Sequence, residues 1–174
     1  TSVGQGGNTS ADGGADKRAL ELIKMFMEPQ TGIGLPIQTA SAHKDLFKLE
    51  ANGLYSPLSI VLLQEVARFN TLIDRLRDSL ISLESAVQGK SVMSAELDKL
   101  FSSLLSNRVP ELWASVAYPS LKPLASWFKD LKERIAFFIH WLEKGTPAHF
   151  WLPAFFFPQG FLTGVMQTHA RRNK

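Results

Sequence analysis

The chain has 174 residues, of which 45% are hydrophobic, enough for one domain with a buried core. It contains no cysteine, which excludes disulfides, thiolate metal sites and a cysteine nucleophile and fits a reducing compartment. A formal charge of +3, weighted toward the second half, is too small to point to a nucleic-acid or membrane partner, so neither is expected.

Residues 1–16 are rich in Gly, Ser, Asn and Asp without apolar periodicity, and read as a flexible lead-in. No glycine there is followed by Lys and a hydroxyl residue, so a phosphate-binding loop is not expected. No uncleaved secretory signal is expected either, and the start at Thr1 suits a piece of a longer polypeptide. Residues 17–56 are expected to hold short helices and turns: a helix with Leu20, Ile23 and Met27 on one face, ended by Pro29, then a short helix around His43–Leu49 and a turn at Asn52-Gly53.

Residues 57–146 read as a helical bundle. Ser56-Pro57 supplies an N-cap followed by proline at the first helical position. Behind it, Leu62, Val66, Phe69, Ile73, Leu76, Leu80, Leu83 and Val87 repeat at alternating spacings of four and three, and Gly89 ends the run. This structural seam suits either a two-stranded coiled coil or one long bundle helix, and the aromatics downstream favour the bundle. Ser94 opens a helix carrying Leu97, Leu100, Phe101, Leu104 and Leu105. Pro110 can start a short one with Leu112, Trp113 and Val116, and Leu124, Phe128, Leu131, Ile135, Phe138 and Leu142 mark a second long one.

Residues 147–174 combine an aromatic junction with a terminal helix starting near Pro158. HFWLPAFFFPQGFL, from His149 to Leu162, is too proline-broken for a membrane span, which needs roughly 20 consecutive apolar residues. Its rings must be covered by protein, each contributing about 1.5–3 kcal/mol if buried. Phe150, Trp151, Phe155, Phe156, Phe157 and Phe161 are therefore candidate interface residues, and so are Trp127 and Trp141, whose indoles suit a helical core or an internal interface better than an exposed stacking array. The fold class expected is all-α: an irregular helical bundle with a long central heptad-patterned helix and a proline-broken aromatic C-terminal segment.

Catalytic chemistry finds little support. The four histidines, at 43, 140, 149 and 169, have no metal-ligand spacing. His140 reads as a partly buried ring satisfied by a backbone acceptor, with His149 and His169 similar. Among the carboxylates, Glu65, Glu111 and Glu133 could be buried acids. Helix-surface pairing, Glu65 with Arg68 and Glu133 with Lys129, explains two of them more simply. Ser79, Ser82 and Ser85 look like helix-surface residues. No catalytic, cofactor-binding or metal residues are assigned.

Three ordered blocks carry a family likeness: PLSIVLLQEVARFNTLIDRLRDSL, then GKSVMSAELDKLFSSLLSNRVPELWASVAYPSLKPLASWFKDL, then ERIAFFIHWLEKGTPAHFWLPAFFFPQGFLTGVMQTHARR. Over about residues 55–172 the sequence resembles the C-terminal motor region of dynein heavy chains, near the small subdomain of the sixth AAA+ module and the start of the C-terminal domain. YPSLKPLASW and FFFPQGFLTGV resemble the axonemal type. The resemblance implies an ATP-driven microtubule motor of the cytoplasm and cytoskeleton, in the axoneme of a cilium or flagellum, with ATP and magnesium bound in other modules. It also implies partners: other modules of the same heavy chain, microtubules, and intermediate or light chains. For this fragment it implies a non-catalytic structural role in the AAA+ ring. The family often has glycine where Ala154 stands, so a less permissive bend is expected here. A helical interaction or dimerisation module, or a small helical enzyme, are the alternatives.

Overall fold

The computed structural model describes residues 9–173, with side chains from residue 12 onward; residues 1–8 of the lead-in lie outside the described residues. Six α-helices follow in order: α1 (Thr9–Met27), α2 (Pro57–Val87), α3 (Ala95–Leu105), α4 (Glu111–Ala114), α5 (Leu124–Lys144) and α6 (Pro158–Arg172). One 3-10 turn, Leu152–Ala154, precedes α6, and no strand occurs among the described residues.

The first helix begins at Thr9, well before the apolar pattern does, so residues 9–16 are helical rather than a flexible lead-in. Once Ala19, Ile23 and Phe26 are docked, adding helical residues in front costs little, and Asp12 sits favourably in the first turn. The buried stripe is thus displaced one position from Leu20 and Met27, which are half-buried.

Helix α2 is the centre of the molecule and packs against α1, α3, α4, α5 and α6. Ser56 caps it, its Oγ accepting from the Ser59 amide at 3.2 Å with Pro57 in the first turn, and Gly89, at φ 72°, turns the backbone away after its last residues. Leu62, Val66, Phe69, Ile73, Leu76, Leu80 and Leu83 are buried and Val87 is half-buried. They face other parts of the same polypeptide and form one core with Ile23, Trp113, Phe138 and Phe161.

The 28–56 connection has no helix where His43–Leu49 was expected to form one. Its backbone groups are satisfied from outside instead. Asn70 on α2 clasps Ile37, accepting from its amide at 2.6 Å and donating to its carbonyl at 3.0 Å. The His43 amide donates to the Leu142 carbonyl at 2.6 Å, Arg77 donates to the Gly34 carbonyl, and Ser59 Oγ donates to the Leu46 carbonyl. With these partners the segment meets its hydrogen-bonding needs without a helical ladder.

Ser79 is buried rather than on the helix surface: its Oγ accepts from the Trp113 indole N–H at 2.9 Å and donates to the Leu76 carbonyl. The ring of Trp113 stacks on Trp127 and meets the edge of Phe26. Ser79→Ala is expected to lower stability by about 1–2 kcal/mol, because it orphans a buried indole donor. Urea unfolding checks this against Ser82→Ala at an exposed position, which should be neutral.

Candidate anchoring site on the aromatic segment

The aromatic segment is an irregular strap laid across α2 and α5. Pro153 favours the 3-10 turn, whose amides are partly self-satisfied, Ala154 N–H donating to the Trp151 carbonyl and Phe155 N–H to Leu152. Pro158 opens α6 at its first turn. The next two amides, of Phe156 and Phe157, have no acceptor within the strap. Both donate to Glu65, Phe156 N–H to Oε2 at 2.8 Å and Phe157 N–H to Oε1 at 3.2 Å.

Glu65 is 1% exposed on α2, and Arg68, one turn later, reaches its Oε1 at 3.0 Å. One carboxylate therefore joins two backbone donors and one guanidinium, satisfying a buried charge that would otherwise be costly. Arg68 also lies over the Phe157 ring, 5.9 Å from its centroid.

The rings sort by what covers them. Trp127, Trp141, Phe155 and Phe161 are buried inside this domain, in contact with its own core. Phe155 meets the edges of Phe138 and Phe137 and tilts against Phe161 at 4.5 Å, while Trp141 stacks with Phe138. Phe150 is half-buried between Trp141 and Phe161, and Phe156 is half-buried with its edge against Phe69 at 4.7 Å. Trp151 is also half-buried, and Phe157 alone of the eight is exposed, at 50%. The physical reason is supply: α5 and α2 present enough aromatic surface of their own to pair with the strap.

Two glycines set how α6 leaves this site. A Cβ on Gly164 would lie 3.1 Å from Val61 Cγ2, so a small residue lets α6 lie close on α2, while a Cβ on Gly160 would lie 2.6 Å from Phe157 Cδ1, so that glycine makes room for the Phe157 ring. Position 154 carries a fully buried Ala, and no positive φ occurs there, so the turn forms without the glycine expected from the resemblance.

A second buried charge escaped the sequence reading. Asp130 on α5 is 6% exposed and binds Arg134 at 2.9 Å and Lys122 at 3.1 Å. The Arg134 guanidinium lies 3.5 Å from the Tyr118 ring centroid, and burial pushes the Tyr118 phenol well above its ordinary pKa. A charged residue beside the buried positions Phe128 and Leu131 was the available signal.

The groups considered for catalysis do not converge. Glu111 and Glu133 are exposed, as are His140, His149 and His169; His140 is thus a surface ring rather than a partly buried one. His43 alone is half-buried, its Nδ1 accepting from the Asp45 amide at 3.3 Å. Among the described residues no three His, Asp or Glu side chains lie close enough to hold a metal ion, and no helix is long and apolar enough to cross a membrane.

Fold and site together define a helical packing domain held by an aromatic core and a buried carboxylate clamp. The family model for the C-terminal domain of the dynein heavy chain matches residues 2–174, and the protein belongs to that family. Dynein axonemal heavy chain 6 of Homo sapiens is 44% identical over 164 residues, covering 94% of this sequence and 4% of that protein. Dynein axonemal heavy chain 3 of Homo sapiens is 48% identical over 129 residues, 74% of this sequence and 3% of its own length. Dynein axonemal heavy chain 1 of Rattus norvegicus is 50% identical over 115 residues, 66% and 2% respectively. The sequence thus spans only a few per cent of the length of the curated relatives it matches.

Proposed function

We propose that this protein is a non-catalytic structural part of the motor ring of an axonemal dynein heavy chain. The observation that carries this is the strap: its backbone is clamped onto α2 by Glu65, while Leu152 and Phe157 on it, and Leu162 and Met166 on the following α6, stay exposed. A clamped strap transmits displacement without slipping, because packed interiors deform little. The exposed edge then meets a neighbouring module of the same heavy chain, most of which lies outside this sequence. In this reading the parent protein is a microtubule motor of the ciliary or flagellar axoneme, its ATP and magnesium are bound in other modules, and intermediate or light chains attach elsewhere.

The seam of α2 is used inside the domain, which leaves a dimerisation module without its expected surface. Phe157→Ser in the full heavy chain tests the proposal. The exposed position predicts a change of no more than about 0.5–1 kcal/mol in the stability of the 174-residue domain, but a clear loss of microtubule-stimulated ATPase or gliding velocity in the motor. Unchanged motor activity would count against an anchoring edge.

A further inference from the structure

A surface built from the α3–α4 and α4–α5 connections has a different chemistry. A groove of about 1280 Å³ is lined by Val109, Tyr118, Trp127, Arg108, Lys122 and Arg134, together with the loop Pro119–Pro123. Leu121, within this loop, is wholly exposed, at 104% of its reference area. The loop is held rather than loose. Two prolines fix its ends, the Lys122 amide donates to Ser120 Oγ, and Asn107, held at φ 53°, accepts from Leu124 and Ala125 through its carbonyl and side chain at 3.0 Å each. A large apolar side chain presented on a stiffened loop loses little entropy when it is covered.

The charge is one-sided. Lys122 and Arg134 share the single carboxylate of Asp130, and Arg108 has no ion pair among the described residues. No carboxylate lines the groove, so two positive charges are left over. Tyr118 is 4% exposed, and its hydroxyl has no hydrogen-bond partner among the described residues.

We propose that this groove docks an acidic protein segment, with carboxylates set against Arg108 and Lys122 and an apolar side chain packed on Leu121 and the groove wall. The exposed leucine favours a peptide over a nucleic acid, whose backbone would use the charges and leave Leu121 idle.

The test selects random displayed dodecapeptides on the 174-residue domain and counter-selects them on the double variant R108E/L121A. Both positions are exposed, so the variant should keep the wild-type circular dichroism and melting temperature. Selected peptides should be net acidic and carry a bulky apolar residue. In solution, by fluorescence polarisation, Arg108→Glu should weaken them about tenfold and Leu121→Ala about fivefold, with added salt weakening them further. Peptides with no acidic bias, or binding the double variant as well as wild type, would overturn the proposal. So would a single-stranded oligonucleotide that binds as tightly and ignores Leu121→Ala.

Discussion

Glu65→Ala should be among the most damaging single changes in this protein, lowering its stability by about 3 kcal/mol. The substitution removes the acceptor of the Phe156 and Phe157 amides and the partner of Arg68 together. Each buried donor left without an acceptor costs about 1–3 kcal/mol, and water reaches this part-buried site only in part. Glu65→Gln keeps one acceptor oxygen but turns an amide N–H₂ toward a backbone donor, so about half the loss is expected. Denaturant unfolding of the two variants gives the comparison, with Gln64→Ala at the exposed neighbouring position as a control near zero.

Phe69→Ala should cost about 3–5 kcal/mol, by a different route. Phe69 is fully buried in the middle of α2 and touches Phe138 at 5.1 Å, Phe156 at 4.7 Å and Tyr118 at 6.3 Å between ring centroids. Truncation leaves a cavity bounded by three rings from three different parts of the fold, none of which can collapse into it without leaving its other contacts. Ile81→Ala on the same helix, half exposed to solvent, should change stability by no more than about 0.5 kcal/mol. A Phe69→Ala loss as small as that would mean the aromatic core is not packed as described. The two variants act on one segment from opposite sides. Glu65 and Phe69 lie one helical turn apart and both hold Phe156, so their effects should be less than additive.

The elements were legible where local chemistry decides them. Ser56-Pro57 marks the start of α2 and Gly89 its end, and the spacing of apolar residues between them identifies its buried face. Pro110 and Pro158 mark the starts of α4 and α6 in the same way. Long-range polar pairing was less legible. The pairing of Glu65 with Arg68 follows from helix geometry, but its two amide donors lie 91 and 92 residues away on an irregular backbone, where no periodicity marks an unpaired N–H. Ser79 shows the same limit: a serine beside a buried stripe reads as a surface residue, and only the fold reveals Trp113 as its donor, 34 residues on.

The aromatic segment was legible only in part. Six aromatics in fourteen residues do require cover, but composition cannot say whether that cover is internal. Trp141, Phe137 and Phe138 on α5, with Phe69 on α2, provide it for Phe150, Phe155 and Phe156. The surface left for a neighbour shrinks to Phe157 and the exposed leucines and methionine beside it in sequence.

A buried carboxylate on α2 fastens the aromatic strap to the helical core, and amide hydrogen exchange at Phe156 and Phe157, compared between wild type and Glu65→Gln, puts that fastening to the test. Both amides should be protected nearly as well as those in the middle of α2. Glu65→Gln should speed their exchange by at least about tenfold, equivalent to about 1.4 kcal/mol, while the α2 amides change less. Rapid exchange at both amides in the wild type, or protection unaltered by the substitution, would contradict the clamp.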